Sequence, residues 1–264
     1  MKLFDSHCHL DDSTYDADLD EVLQRAADAG VAAMMIAGID LKASQKAVVI
    51  AASRPHIFAA VGFHPHDTAS ADDAAMQQLC KLAGHVKAKA WGEIGLDFYR
   101  MHTPQPIQEK WLIRQIEAAD EMDMPIIFHE RDSDGRLLSI LKTYHRHPGN
   151  GVIHCFSGTH AELMQYLEMG YRIGVTGILT LQSRGADIRE LVSEIPRDRL
   201  LIETDAPYLT PAPEKNRFRR NEPAFVKSVL IKLSEVLDEN PEVLAETLWS
   251  NTCVLFRISP ESLS

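Results

Sequence analysis

One complete folding unit lies in residues 2–38, KLFDSHCHLDDSTYDADLDEVLQRAADAGVAAMMIAG. The two apolar ends of this stretch, KLFDSHCHL and AAMMIAG, have the length and composition of buried β-strands. Between them, Leu19, Val22, Leu23 and Ala26 recur at the 3.6-residue spacing of an amphipathic helix. The stretch therefore predicts a strand–helix–strand unit, from which parallel sheets are built.

The same alternation of apolar runs and amphipathic patterns continues along the chain. The apolar runs are KLFDSHCHL, AAMMIAG, IFAAVGFHP, KAWGEIGLDF, PIIFHERD, GVIHCFSG, RIGVTGIL and RLLIETDAPYL. Eight such units predict a (β/α)8 TIM barrel, a fold that uses about 250 residues as one domain. A doubly wound open sheet is the alternative, but no glycine-rich phosphate loop follows the first run.

Two more helical patterns follow the eighth run. One begins near Pro223 and the other near Pro241, where Asn240 is a candidate N-cap. No low-complexity segment or Pro/Gly/Ser-rich linker interrupts the chain. We therefore expect residues 1–264 to form a single α/β domain, a TIM barrel with extra C-terminal helices.

The composition limits the classes of protein to which this chain can belong. The chain is 45% apolar and 25% charged, which fits a soluble globular protein, and its net charge is −11. That charge argues against a surface built for general nucleic-acid binding, but not against an enzyme that binds phosphates through metal ions and a few arginines. Without a membrane-length apolar stretch or a signal peptide, we expect a cytoplasmic protein, monomeric and without an obligate protein partner.

Polar side chains occur repeatedly where an apolar run meets the loop that follows it. Catalytic residues of TIM-barrel enzymes lie at these carboxyl ends of the strands. The residues in question are His7, His9, His64, Glu93, Asp97, His129, His154 and Asp205. Their recurrence on six runs predicts an active site at the mouth of the barrel.

The pattern His7-Cys8-His9 carries its own geometry. Alternate residues of a strand share a face, so His7 and His9 point the same way while Cys8 points away. Taken alone, such a pair is as well explained by two satisfied histidines as by half of a metal site. The polar residues at the other strand ends favour the metal site.

The donor set predicts two divalent metal ions rather than one. Four histidines and two carboxylates exceed the needs of one tetrahedral ion, and they are His7, His9, His129, His154, Glu93 and Asp205. They suit two ions about 3.5–4 Å apart. Glu93 is the expected bridge, because its run lies opposite the eighth run across the mouth. It would lie between one group of His7, His9 and Asp205 and another of His129 and His154. Zn, Mn, Fe or Ni suit these donors, and Mg is less well matched.

Asp205 and Glu93 are the expected catalytic carboxylates. Two metal ions lower the pKa of a bound water, and Asp205 is the candidate general base for its proton. A serine nucleophile motif of the GxSxG type is absent from the sequence.

Further residues are weaker candidates. His64 is a candidate to orient a ligand or contact substrate, with loop packing as the alternative. Arg131 is a candidate substrate contact, with pairing to a local acid as the alternative. Arg220, in the cluster RFRRNEP from Arg217, is a candidate phosphate contact, and a solvated loop is the alternative. Glu203 is a candidate support for a histidine ligand.

Several ordered motifs resemble those of the TatD family of metal-dependent deoxyribonucleases, within the amidohydrolase-like barrels. The motifs are DSHCHLD, VGFHPH, WGEIGLDFYR, PIIFHERD, IHCFSG, IETDAPYLTP and RRNEP, and they span nearly the whole chain. The resemblance implies the same six ligands, with Glu93 in the bridging place that a modified lysine takes in many related amidohydrolases. Phe63 and Glu130 differ from the family pattern and leave substrate preference open.

The activity that the resemblance implies is metal-dependent hydrolysis of DNA phosphodiester bonds, often from the 3′ end and on single strands. A hydrolase of a small ester, lactone, amide or phosphoester is the alternative, because one barrel serves many chemistries. A non-enzymatic protein with structural metals fits less well, since structural zinc sites are usually closed tetrahedra.

Overall fold

The computed structural model describes residues 1–263, so Ser264, the last residue of the expected domain, lies outside the described residues. Its sheet has eight strands: β1 Leu3–Cys8, β2 Val31–Ala37, β3 Ile57–Val61, β4 Ala88–Asp97, β5 Ile126–Arg131, β6 Gly151–Ile153, β7 Arg172–Val175 and β8 Leu200–Ile202. Each strand pairs in parallel with the next in chain order.

The sheet closes on itself just beyond β8. The backbone N–H of Asp205 donates to the carbonyl of His7 at 2.9 Å, and the N–H of His9 donates to that of Ala206 at 2.7 Å. This sequential, closed order confirms the (β/α)8 barrel and rules out the doubly wound alternative, in which the strand order reverses.

Helices alternate with the strands and cover the outside of the barrel. They are α1 Leu19–Asp28, α2 Leu41–Ala52, α3 Asp73–Ala83, α4 Gln105–Glu121, α5 Arg136–Tyr144, α6 His160–Glu168, α7 Ala186–Leu191, α8 Val226–Leu237 and α9 Pro241–Leu255. The extra C-terminal helices are therefore confirmed as α8 and α9. The side chain of Asn240 caps α9 by accepting from the N–H groups of Glu242 and Val243.

Two hydrophobic clusters follow from the alternation of side chains along the strands. The inner cluster includes Phe4, Met35, Phe58 and Ile127, and Phe256 after α9 packs against it. The outer cluster lies between the helices and the opposite face of the strands. Because alternate residues face inward, polar side chains beyond the inner cluster point into the mouth of the barrel.

Several strands are shorter than the apolar runs that predicted them. β6 and β8 have three residues each, although their runs extend over residues 151–158 and 199–209. The polar ends of these runs leave the sheet and form the loops of the mouth. Within residues 1–263, no helix has the length and apolar character needed to cross a bilayer.

Candidate metal centre

The strand-end residues converge at the mouth of the barrel. His7 lies in β1, Glu93 in β4 and His129 in β5, while His154 directly follows β6 and Asp205 follows β8 by three residues. The bulge between β4 and β5 near Glu93 breaks strict alternation. Five strands thus bring the expected ligands to one place.

Glu93 lies at the centre of this group. Its Oε2 is 3.2 Å from Nε2 of His7 and 3.7 Å from Nε2 of His9. Its Oε1 is 2.8 Å from Nδ1 of His129 and 3.6 Å from Nε2 of His64. The two oxygens of one carboxylate therefore face two different sets of imidazoles, so Glu93 could act as a ligand together with either set.

Asp205 completes the set around β1. Its Oδ1 lies 3.3 Å from Nε2 of His9, 3.6 Å from Nε2 of His7 and 3.7 Å from Nε2 of His154. The rings of His7 and His154 stack with their centroids 3.6 Å apart. Three imidazoles thus direct a nitrogen toward one carboxylate oxygen.

The nitrogen atoms around β1 fit a bound cation. Nδ1 of His9 is 2.9 Å from the carbonyl oxygen of Ala37, which only accepts, so Nδ1 carries a proton, and Nε2 presents a lone pair when the ring is neutral. Nε2 of His7 lies 3.1 Å from that Nε2. Converging lone pairs beside two carboxylates are the donor chemistry of Zn, Mn, Fe or Ni.

The donor atoms form three overlapping groups, each within 4.8 Å. One group is His7, His154 and Asp205, another is His7, His9 and Glu93, and the third is His64, Glu93 and His129. This grouping differs from the expectation in two ways. His154 lies with His7 and Asp205 rather than with His129, and His64, expected only to orient a ligand or contact substrate, lies among the donors with Glu93 and His129. Only its position at a strand end marked His64 in the sequence.

The electrostatics keep the two carboxylates ionised but differ among the histidines. Burial raises the pKa of Glu93, but the charge that the surrounding imidazoles carry when protonated, that of His7 first, outweighs this effect and holds the pKa well below its usual range. Burial also raises the pKa of Asp205, but the hydrogen bond from His9 has the larger effect together with the nearby histidines, so the pKa is lowered overall.

Burial lowers the pKa of His64 well below its usual value. Burial lowers the pKa values of His9, His129 and His154 as well, but the neighbouring carboxylates outweigh it and raise them to about 10, 9 and 9. Ionised carboxylates and neutral imidazoles are the forms that bind metal ions, so an ion that binds here must displace protons from these rings.

A second layer of side chains orients these donors. Glu203 is fully buried, with Oε1 2.8 Å from Nδ1 of His154, and Oε2 accepts from the hydroxyl of Ser6 at 3.2 Å. Asp97 plays the corresponding part on the other side. Its Oδ2 is 3.4 Å from Nε2 of His129. Groups placed in this way fix the orientation of metal-binding imidazoles.

Two supporting residues were missed by the sequence analysis. Nε2 of His66 lies 2.7 Å from Oδ2 of Asp97, so this loop histidine holds the carboxylate beside His129. Asp5 accepts from the N–H and the hydroxyl of Thr204 at 2.9 and 2.6 Å, which ties the segment before Asp205 to β1. The signal for Asp5 was its place at the head of the motif DSHCHLD.

The expected substrate contacts divide into two groups. The guanidinium of Arg131 lies 4.1 Å from the centroid of Tyr99 at the rim of the mouth. Arg220, in contrast, donates to Asp18 at 2.6 and 2.8 Å and to Glu222 at 3.1 Å. Its donors are already used, so the structure favours a structural role for Arg220 over a phosphate contact. Arg217, from the same cluster, is exposed.

The sequence and the fold both match known proteins. Residues 4–257 match the family model described as TatD related DNase. The chain is 37% identical to the 3′-5′ ssDNA/RNA exonuclease TatD of Escherichia fergusonii, over 97% of this chain and 100% of that protein. It is 35% identical to the metal-dependent hydrolase YabD of Bacillus subtilis, over 97% and 100%.

Among solved structures, the TatD homolog YJJV from Escherichia coli superposes with a TM-score of 0.88. The two are 30% identical, and the match covers 97% of this chain and 98% of that one. A TatD family hydrolase from Entamoeba histolytica also gives a TM-score of 0.88, at 26% identity and 98% and 99% coverage. The likeness therefore includes the whole barrel and its mouth.

Proposed function

This chain belongs to the family of TatD-related DNases, and on that premise we propose that it removes nucleotides from the 3′ end of single-stranded DNA with the help of two divalent metal ions. It is a hydrolase that acts on ester bonds, as its family relatives are. The relatives named 3′-5′ ssDNA/RNA exonucleases support both the polarity and the single-stranded substrate, and they make RNA a second substrate to test.

The position of Glu93 carries the two-metal proposal. One oxygen faces His7 and His9, and the other faces His129 and His64. A carboxylate divided in this way suits a pair of ions better than one. When bound, two such ions would lower the pKa of a water toward neutrality and polarise the phosphodiester to be cleaved.

The side chains of the chain itself would supply the remaining roles. Asp205, with its pKa below the usual value, is ionised and can accept the proton of the attacking water. Its backbone has a left-handed φ of 57°, which is rare for residues other than glycine. The hydrogen bond from its N–H to His7 stabilises that conformation. Glu203 would keep the imidazole of His154 directed toward the site.

A cleavage assay on defined oligonucleotides tests the proposal. The chain is supplied with Zn, Mn, Mg, Ni or Fe, and products are followed from 3′- and 5′-labelled strands of DNA and RNA. We expect stepwise loss from the 3′ end and two ions per chain by elemental analysis. Asp205→Asn should lower cleavage at least 100-fold, since general-base catalysis contributes about 10²–10⁴.

The matched control is Asp187→Asn, on the outer helix α7, which should retain wild-type cleavage. Robust cleavage by Asp205→Asn would overturn the base role. The same assay includes small esters, lactones and phosphoesters. Turnover of one of these far above that of DNA would favour a small-substrate hydrolase, which the net charge of −11 makes the natural second candidate.

We also propose that a single chain is sufficient and that it works in the cytoplasm. The three donor groups are formed within one chain, which supports a site that is complete in a single subunit. Sedimentation of the metal-loaded protein tests this directly. A dimer whose dissociation abolishes cleavage would contradict it.

A further inference from the structure

Tyr208 is a rigidly held aromatic ring at one end of the candidate metal centre. Its ring centroid lies 5.9 Å from that of His9, at 66° between the planes, yet 53% of the residue is exposed. Its N–H donates to the carbonyl of Asp205 at 2.8 Å, and its carbonyl accepts from the buried amide of Asn221 at 2.5 Å. The backbone is therefore fixed on both sides while the ring faces solvent.

A second exposed ring lies at the other end of the centre. Tyr99 follows β4 two residues after Asp97, whose carboxylate contacts His129, and it is 62% exposed. The guanidinium of Arg131 lies over this ring at 4.1 Å. Arg131 and His129 are alternate residues of β5 and share its inward face. Within residues 1–263, Arg131 pairs with no carboxylate, so its charge is available to a ligand.

The two rings flank the centre. Tyr208 adjoins His9 and follows β8, whereas Tyr99 follows β4 two residues after Asp97, whose carboxylate contacts His129. In the closed order β1 to β8, β4 and β8 lie on opposite sides of the barrel. Glu93 contacts the histidines of both ends and so lies between the two rings.

We propose that Tyr208 and the Tyr99–Arg131 pair are two base-stacking platforms, so that the site takes an unpaired nucleic-acid strand with one base on each side of the reacting phosphate. This inference rests on the proposed nuclease function and deepens it. Exposed aromatic rings bind single strands by stacking on bases, and arginine adds charge to such a platform. The faces of bases inside a duplex are already stacked, so a duplex cannot use both platforms.

The overall charge of the chain gives contacts to the bases more weight. At −11 the surface as a whole repels a polyanion, so general electrostatic attraction does not retain the strand. Stacking is independent of that charge. A substrate without bases would gain nothing from either ring, which separates this inference from a site for small esters.

The test is a double-mutant cycle between protein and strand. Binding of a fluorescein-labelled, phosphorothioate-linked oligonucleotide to the Mn-loaded protein is measured by anisotropy. The strands carry one abasic site at each position in turn near the 3′ end. We expect Tyr208→Leu and Tyr99→Leu each to weaken binding of the intact strand about 5- to 100-fold. Each loss should vanish for one abasic position, and the two positions should differ.

Tyr208→Phe keeps the ring and should bind like the wild type. Tyr144→Leu is the matched control, because Tyr144 is 41% exposed but ends α5, at the opposite face of the barrel. The assignment of the two rings as stacking platforms would be wrong if each variant lost the same affinity at every abasic position, or if neither variant lost any affinity. If the wild type cleaves strands and both leucine variants bind them as tightly as the wild type does, this inference fails but the proposed function stands. If the wild type neither binds nor cleaves any strand, the proposed function fails with it.

Discussion

The carboxylate of Glu203 lies 2.8 Å from Nδ1 of His154, beneath the candidate metal centre. Glu203 is fully buried, and its Oε1 also accepts from the N–H of Cys155 at 2.7 Å. The contact holds the ring so that Nε2 faces Glu93 and Asp205. A carboxylate that is buried in this way needs polar partners, and Glu203 has them in the ring of His154 and the backbone of Cys155.

Glu203→Gln should weaken metal retention while the fold persists. The amide has nearly the same shape but lacks the charge that orients His154, and such changes typically cost about 10- to 100-fold in metal affinity. Competition with a chelator measures the effect. Glu190→Gln, on the outer helix α7, is the control and should retain wild-type affinity. Equal affinity of both variants would contradict the orienting role.

Gly174→Ala should disturb the contact between Glu203 and His154. A Cβ at this position in β7 would lie 2.5 Å from Oε1 and 2.7 Å from Oε2 of Glu203, so the carboxylate must move. We expect weaker metal binding, in the same direction as Glu203→Gln, measured by the same competition. Gly84→Ala is the control because the nearest atom to its Cβ would be 3.4 Å away. Wild-type affinity in Gly174→Ala would show that the carboxylate can shift without consequence.

His64→Ala should selectively weaken one of the two proposed ions. Its Nε2 lies 3.6 Å from Oε1 of Glu93, on the side of His129 and away from His7. Elemental analysis after dialysis should fall from about two ions toward one per chain, because the other group of donors is intact. His85→Ala, after α3 on the surface, should keep both ions. Unchanged stoichiometry in His64→Ala would return this residue to the role of a substrate contact.

Asp18→Asn should lower stability in a pH-dependent way. The hydrogen bond from Arg220 lowers the pKa of Asp18 from 3.8 to about 2. A carboxylate with a lowered pKa stabilises the fold above its unfolded value, and this contribution is lost as pH falls from about 4 through about 2. Both side chains are partly exposed, so we expect about 1 kcal/mol or less at pH 7. Urea unfolding at pH 7 and pH 3 measures the difference.

The difference between wild type and Asp18→Asn should be smaller at pH 3 than at pH 7. Asp28→Asn, at the exposed end of α1, is the control for a change of charge alone. A difference that grows as pH falls would have the wrong sign for this pair. It would contradict the pairing of Arg220 with Asp18 as the source of this stability.

Much of the fold was predictable because it rests on local and periodic signals. Apolar runs alternate with helical patterns such as Leu19, Val22 and Ala26, and the eight strands and the helix start at Pro241 appear where these signals occur. The lengths of β6 and β8 were not predictable. The runs that contain them continue into residues such as His154 and Asp205, which leave the sheet to reach the mouth of the barrel.

By itself, the sequence determined the barrel and the strand ends that carry polar side chains, because hydrophobic periodicity and strand alternation are properties of neighbours along the chain. Only the tertiary structure decided how those side chains meet. It grouped His64 with Glu93 and His129, brought His154 to Asp205, and joined Arg220 to Asp18. These contacts span up to 202 residues of sequence. They depend on how the barrel closes between His7 and Asp205 and on the bulge near Glu93, which no local pattern encodes.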